Sequence, residues 1–286
     1  MFGGYNHVEG VGRVSNDMWA YDQAAQGWEE IRFQAMMLGC DLPAEAQLLV
    51  LPLPRASHGM VSSRKSAITC GGYGFEPDGR TKNYISSVAG QIDCWWFTPG
   101  SPPRWDKLEL HTDSTRGPVP RFGHCMSYDS EGRKVIIVGG QTLKGQLLND
   151  CWSLSEVPVM VAETGSNATR PQFADFEYQG KYEWTTCDPT SALALKPQAR
   201  YGHQSVYFHN SLYVVGGFAQ DGLRVQAKHD IWILEFGHNE STWNELMPST
   251  KTPDPRGFHA LWLSGFKIFL HGGQVHRVYV YEDGGG

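Results

Sequence analysis

The sequence has no long apolar run and no basic segment followed by a hydrophobic one at its start. No stretch approaches the roughly 18 consecutive apolar residues of a transmembrane helix, and the opening MFGGYNHVEG does not resemble a secretory signal. We therefore expect a soluble chain that is not exported and has no membrane partner.

Positive charge is also scarce, since 24 Lys and Arg against 30 Asp and Glu leave a formal net charge of −6. A face that neutralises nucleic-acid phosphates needs an excess of Lys and Arg. We expect no nucleic-acid partner.

The six cysteines occur singly, without a Cys-x-x-Cys pair, so the spacing typical of a zinc site is absent. Cys70, Cys94, Cys125 and Cys151 lie in strand-like runs, where a thiol behaves as a small buried hydrophobic group. We expect reduced, structural cysteines and therefore a cytoplasmic or nuclear protein.

Signatures of common catalytic sites are missing as well. Neither Gly-x-Ser-x-Gly nor His-Glu-x-x-His occurs. Catalysis has no positive support in the sequence, and we expect no enzyme activity, cofactor or bound metal.

Apart from the run Gly284–Gly286, what the sequence does contain is five Gly-Gly pairs, of which the last four each close a short apolar run. Their first glycines are 68, 68, 77 and 56 residues apart, a loose period that indicates one repeated supersecondary unit. We expect the glycines to let an aromatic side chain approach the backbone closely. The pairs are Gly3-Gly4, Gly71-Gly72, Gly139-Gly140, Gly216-Gly217 and Gly272-Gly273.

Around each pair the same strand-like segments recur in the same order. An Arg-x-x-His segment comes first, then the apolar run with its glycines, then an acid-x-aromatic segment, and finally a segment centred on another tryptophan. The arginines are Arg55, Arg121, Arg200 and Arg256, and the tryptophans of the third segment are Trp19, Trp95, Trp152 and Trp232. Four short strands cannot bury their apolar face alone, whereas radially packed units can.

These motifs resemble those of kelch repeats over nearly the whole chain. The resemblance implies an all-β fold: a kelch-type β-propeller of four-stranded antiparallel blades around a channel, with the first strand innermost. We predict a single domain over residues 1–286, with blades at about 1–31, 54–108, 120–187, 199–246 and 255–281. The first blade lacks its Arg-x-x-His segment and the fifth its last strand, so we expect both terminal blades to be incomplete.

Equivalent positions in successive blades should form rings around the axis. The four arginines are therefore predicted to circle one mouth of the channel and to bind an acidic peptide, as in some kelch adaptors of ubiquitin ligases that the layout resembles. Alternatively, each arginine caps a strand or pairs with an acid of the next blade. We expect the histidines of the same segments to be structural, and the acids of the third segments to form turns.

The residues that follow the glycine pairs should emerge on the same face as the arginines. We predict that they bind a partner with the arginines, since aromatic and Arg side chains are typical interface anchors. These residues are Tyr5, Tyr73, Gln141, Phe218 and Gln274.

The leading functional interpretation is a protein-interaction module that binds a protein or peptide at one face. One alternative is a propeller enzyme or metal-dependent protein, like the galactose oxidase, mutarotase and specifier proteins of similar fold. Another is an architectural subunit whose contacts are made by long insertions such as residues 155–181.

Overall fold

The computed structural model of the chain describes residues 1–8, 11–33, 51–63, 66–75, 82–84, 91–111, 116–157, 159–162, 169–172, 181–191, 194–222, 224–237 and 240–275. The predicted third strand of the last repeat, around residues 277–279, lies outside these ranges.

Every helix or strand assigned within these ranges is a β-strand, as the short apolar and alternating runs predict. The strands are β1 (Phe2–Val8), β2 (Val11–Asp22), β3 (Gly27–Glu30), β4 (Gly59–Ser62), β5 (Ala67–Cys70), β6 (Tyr73–Phe75), β7 (Lys82–Tyr84), β8 (Cys94–Thr98), β9 (Arg104–Lys107), β10 (Cys125–Asp129), β11 (Lys134–Gln141), β12 (Leu147–Glu156), β13 (Val159–Ala162), β14 (Thr169–Gln172), β15 (Tyr182–Thr186), β16 (Arg200–Tyr201), β17 (Gln204–Phe208), β18 (Ser211–Val215), β19 (Phe218–Asp221), β20 (Arg224–Ala227), β21 (Ile231–Phe236), β22 (Ser241–Leu246), β23 (Ala260–Ser264) and β24 (Lys267–His271).

The strands form five successive antiparallel sheets, here called blades 1 to 5. Blades 2, 3 and 4 have four strands each, in the orders β4-β5-β8-β9, β10-β11-β12-β15 and β17-β18-β21-β22. Blade 1 has three strands, β1-β2-β3, and blade 5 has two described strands, β23-β24. Smaller ribbons, β6-β7, β13-β14 and β16-β19-β20, lie at the insertions and at the entry to blade 4. The four-stranded antiparallel repeat is therefore confirmed.

The hydrophobic core lies between blades, because both faces of each central strand are apolar. In β11, Val135 and Ile137 pack with Ile68 and Trp96 of blade 2, whereas Ile136 and its neighbours on the same face pack with blade 4. A third cluster joins blades 1 and 2, where Phe2 and Met18 meet Trp95, Phe97 and Trp105. This use of both faces explains the continuous apolar runs before the glycine pairs.

The glycine pairs are the places where consecutive blades touch backbone to backbone. Gly71 has a φ of +63°, and a Cβ there would lie 2.6 Å from the carbonyl oxygen of Arg121 and 2.9 Å from Cε1 of His124. The N–H of Gly72 donates to the same arginine carbonyl at 3.0 Å. The sequence interpretation is corrected here: the closely approaching groups are the arginine carbonyl and the histidine of the next blade.

The prediction of reduced cysteines is wrong for four of the six. Disulfides join Cys70 to Cys94 on adjacent strands of blade 2, and Cys151 to Cys187 in blade 3. Disulfides persist mainly in oxidising compartments. The cytoplasmic localisation stays a prediction, but reduced cysteines no longer support it.

Candidate interaction surface

The arginines of the Arg-x-x-His segments lie inside the blades. Arg121 is 1% exposed, its Nε donates to the carbonyl of Val119, and its Nη1 donates to the carbonyl of Gly139. Nη1 and Nη2 also form a bidentate pair with the carboxylate of Asp150 at 2.5 and 2.8 Å. Arg200 repeats every one of these contacts with Asp230, and Arg55 repeats them with a single bond to Asp93.

The carboxylates in these pairs are shared with the tryptophan two residues further on. Trp152 Nε1 donates to Asp150 at 2.8 Å, and the equivalent bonds in the other repeats measure 2.6 to 2.9 Å. Burial alone would raise the pKa of Asp150, but the hydrogen bond and charge of Arg121 outweigh it and hold that pKa below its ordinary value. Asp150, and Asp230 by the same contacts, therefore stay ionised. Together with Asp93 they tie the segment that enters a blade to the third strand of that blade, instead of forming turns.

This placement corrects the picture of an arginine ring at an open mouth. Arg55, Arg121 and Arg200 are 0 to 1% exposed, and each pairs with an acid of its own blade rather than the next one. A partner's carboxylate would have to enter the blade and displace an aspartate to reach them. Arg256 is half-buried and donates to the carbonyls of Asp254 and Gly272, both at 2.9 Å.

Three of the four histidines of these segments, His124, His203 and His259, are buried against the preceding blade. His203 is 0% exposed, and its Nε2 lies 3.0 Å from the carbonyl oxygen of Val138. Burial, followed by nearby cationic arginines, lowers the pKa of His124 and of His203 to about 3. No group of three or more His, Cys, Asp or Glu side chains that could hold a metal ion occurs among the residues that the structure describes.

The residues after the glycine pairs lie beside the residues after the arginines. Ala56 bridges to Tyr73, Phe122 to Gln141, Tyr201 to Phe218 and Gly257 to Gln274. The structure thus brings four of the five predicted loop residues next to the segments that enter the blades. Tyr5, the fifth, lies on β1 directly after its glycines.

Backbone hydrogen bonds join these entry segments into an arc that runs from blade to blade. The N–H of Gly123 donates to the carbonyl of Ser57, that of Gly202 to Gly123, and that of Phe258 to Gly202, at 2.6 to 2.8 Å. All four residues, Ser57 included, have φ between +51° and +68°, in the left-handed region. The arc is a rigid base for the side chains beside it.

Aromatic side chains line this arc in two contact groups. Phe75 contacts Tyr5 and Tyr73 at ring-centroid distances of 5.9 and 5.7 Å, and Tyr73 contacts Phe122 at 5.2 Å. Tyr201, Phe218 and Phe258 contact one another at 5.4 to 5.9 Å. We call these seven residues the aromatic rim: Tyr5, Tyr73, Phe75, Phe122, Tyr201, Phe218 and Phe258.

The rim combines buried supports with exposed ends. Tyr73 and Phe218 are 8% and 3% exposed, whereas Tyr5 is 51% and Phe258 45% exposed. Sequence reasoning found Tyr5, Tyr73 and Phe218 but missed the others. The missed signal is the aromatic residue inside three Arg-x-x-His segments, at positions 122, 201 and 258.

Consecutive antiparallel blades that pack face to face, with glycine-pair junctions between them, define a β-propeller. The sequence model of the KLHDC2/KLHL20/DRC7 Kelch-repeats domain matches residues 57–283. The chain belongs to the kelch-repeat family, and the predicted kelch-type propeller is confirmed.

Known relatives agree with this assignment. The Rab9 effector protein with kelch motifs of Rattus norvegicus is 29% identical over 216 residues, which cover 61% of this chain and 54% of the relative. Kelch domain-containing protein 3 of Homo sapiens is 33% identical over 91 residues, 32% of this chain and 22% of the relative. The chain thus spans about half the length of the first of these relatives.

A similar fold occurs in the solved structure of YjhT. The TM-score is 0.62 at 15% identity, over 96% of this chain and 73% of that one. This likeness concerns the fold alone. The family and its kelch-motif relatives support a protein-interaction module. Among the residues that the structure describes, none forms a helix with the length and apolar composition of a membrane span.

Proposed function

We propose that this chain is a protein-interaction module that binds a peptide or protein segment along the aromatic rim. The observation that carries the proposal is that Tyr5 and Phe258, at the two ends of the aromatic rim, are exposed while Tyr73 and Phe218 beneath them are buried. Exposed aromatic side chains on a rigid base are typical anchors of protein interfaces, because they bury much area at little entropic cost.

The relatives support the same class of function. One is described as a Rab9 effector, a name that implies action together with another protein. The partner proposed for this chain is a polypeptide with apolar or aromatic anchor residues. The prediction of an acidic partner is dropped, because it required free arginines and the three buried arginines already pair with aspartates.

The experiment begins with selection of peptides from a displayed library on the purified 286-residue chain. The affinity of one enriched peptide is then measured by isothermal titration calorimetry. Tyr5→Ala and Phe258→Ala should each weaken binding by at least about tenfold, since loss of an aromatic anchor costs roughly 2 kcal/mol.

The matched control is Trp28→Ala, which removes an aromatic side chain that is 60% exposed on β3, outside the rim. This variant should bind like the unmodified chain. Equal loss in all three variants, or no loss in the rim variants with an intact melting temperature, would refute binding at the rim.

A further inference from the structure

The two disulfides are buried inside blades 2 and 3. Cys70 and Cys94 are 0% and 6% exposed, and Cys151 and Cys187 are 0% and 8% exposed. A disulfide forms or breaks by attack of one sulfur on another, and its rate depends on access to the sulfur that is attacked. Since dissolved thiols and disulfides do not reach these buried sulfurs in the folded chain, both bonds must form while the chain folds.

Formation of each bond needs an oxidant that itself carries a disulfide, such as oxidised glutathione or a protein disulfide. One cysteine thiolate attacks that disulfide, and the second cysteine then displaces the oxidant from the mixed disulfide. The oxidant leaves as two thiols, which carry the two electrons and the two protons that the cysteines lose. Oxidising compartments supply such an oxidant, whereas glutathione and thioredoxin keep cytosolic thiols reduced.

Cys125 is the described cysteine outside these bonds, and in the folded chain it does not exchange with them. It is 2% exposed, and burial raises its pKa to about 12. The thiolate is the form that attacks a disulfide. Cys125 therefore leaves both bonds intact once the blades have closed.

The first disulfide lies at the base of the aromatic rim. Cys70 and Cys94 oppose each other as the last pair of the blade 2 sheet before the connection of residues 71–93. That connection carries Tyr73 and Phe75 of the rim. The disulfide therefore holds together the two ends of the segment that positions these aromatic side chains.

The equivalent connections in blades 3 and 4 are shorter and have no disulfide at their base. They span residues 139–150 and 216–230, and they begin after Val138 and Val215. The entropic cost of holding the ends of a loop together rises with the length of the loop. Blade 2 thus has a covalent closure where this connection is longest.

We propose that the chain folds in an oxidising compartment, where the Cys70–Cys94 disulfide completes the rim, and that its partner is a lumenal or extracellular polypeptide. This inference rests on the proposed function, since it says where the partner of the rim is found. It differs from the cytoplasmic location expected from the sequence, because that expectation assumed reduced cysteines.

The first measurement counts thiols and involves no partner. The purified 286-residue chain is refolded with reduced and oxidised glutathione, then unfolded in guanidinium chloride and treated with iodoacetamide, with and without prior reduction. Peptide mass spectrometry identifies the labelled cysteines. Cys70, Cys94, Cys151 and Cys187 should be labelled only after reduction, and labelling of Cys70 and Cys94 without it would overturn the proposal.

The second measurement compares two double variants by titration calorimetry with a library-selected peptide. Cys70→Val with Cys94→Ala removes the disulfide at the rim, and valine is the residue at the equivalent position in blades 3 and 4. Cys151→Ala with Cys187→Ala removes the other disulfide, whose loop carries no residue of the rim. Both should lower the melting temperature, but at a temperature where both are folded only the first should weaken binding, by at least about tenfold, because affinity falls with the fraction of chains whose rim is formed.

The third measurement compares the same chain directed to the endoplasmic reticulum and kept in the cytosol of one cell type. Only the chain from the endoplasmic reticulum should bind the peptide with full affinity. Equal binding by both preparations, or by both double variants, would overturn the proposal.

Failure of this inference is distinct from failure of the proposed function. Unchanged binding by Tyr5→Ala and Phe258→Ala would refute the rim itself. Weaker binding by those two variants, together with equal binding by the two disulfide variants, would refute only the inference drawn from the disulfides.

Discussion

Acidification should destabilise this protein at pH values well above the ordinary pKa of carboxylic acids, because its buried histidines resist protonation in the folded state. His124 and His203 are 5% and 0% exposed, and burial lowers the pKa of both from 6.5 to about 3. Between these values the unfolded chain binds protons that the folded chain does not. Stability is therefore complete above about pH 6.5 and falls as the pH drops toward 3.

The size of the effect follows from the pKa difference. At about pH 5 each of these histidines favours the unfolded state by about 2 kcal/mol, since one pKa unit corresponds to about 1.4 kcal/mol. Together His124 and His203 should cost about 4 kcal/mol, a large part of the roughly 5 to 15 kcal/mol that stabilises a typical domain. The lowered pKa values of Asp150 and Asp230 act only at still lower pH.

The assay is urea unfolding at about pH 7.5, 6 and 5, with the free energy of unfolding compared across pH. His124→Gln keeps a neutral polar side chain that does not titrate. Between about pH 7.5 and 5 the free energy of unfolding of this variant should therefore fall by about 2 kcal/mol less than that of the unmodified chain. His229→Gln, at an exposed position, is the control and should leave the pH dependence unchanged. If His124→Gln shows the same pH dependence as the unmodified chain, the buried-histidine explanation is refuted.

Three further predictions follow from the junctions. Arg121→Met leaves the partly buried carboxylate of Asp150 without its partner and should lower the free energy of unfolding by about 3 kcal/mol, the lower end of the range for breaking a buried ion pair. Arg32→Met, at an 85% exposed side chain, should change it little, and equal effects would contradict the structural role of Arg121. Gly216→Ala, whose Cβ would lie 2.7 Å from the carbonyl oxygen of Arg256, should lower the melting temperature far more than Gly222→Ala, which has a similar φ and open space around it. Similar melting temperatures would contradict the close approach of the blades at Gly216. The two disulfides close loops of 24 and 36 residues, and reduction should lower the free energy of unfolding by about 3 to 4 kcal/mol for each disulfide. Urea unfolding with and without reductant measures this, and no change on reduction would show that the disulfides do not form.

The repeat made the sheet architecture predictable. Each apolar run before a glycine pair has strand length, and its composition suits a strand buried on both faces, as Val135, Ile136, Ile137 and Val138 prove to be. Because the same order of segments recurs, four-stranded units follow without knowledge of long-range contacts.

The side-chain pairing within a blade was harder to predict. Arg121 and Asp150 are 29 residues apart in sequence, and each recurs in its own motif, so the motifs suggest two separate rings. That they neutralise each other inside one blade depends on the register between β11 and β12, which the sequence does not display. The arginine role at an open mouth was therefore misplaced.

The disulfides show the same limit. Cys94 and Cys151 both stand between the acid and the tryptophan of their motif, yet one pairs with the strand before it and the other with a residue after β15. In blade 2, Cys94 lies opposite Cys70. In blade 3 the residue opposite Cys151 is Val138, so Cys151 has no cysteine on the neighbouring strand to pair with. Connectivity of this kind depends on three-dimensional register and cannot be deduced from spacing.

The central claim is that the aromatic rim, and not the buried arginines, contacts the partner. The most direct test is hydrogen–deuterium exchange of the chain with and without a library-selected peptide. The account predicts slower exchange at the rim, in residues 73–75 and around Phe122, Tyr201, Phe218 and Phe258. Slower exchange confined to the outer strands β3, β9, β15 or β22, with an unchanged rim, would contradict it.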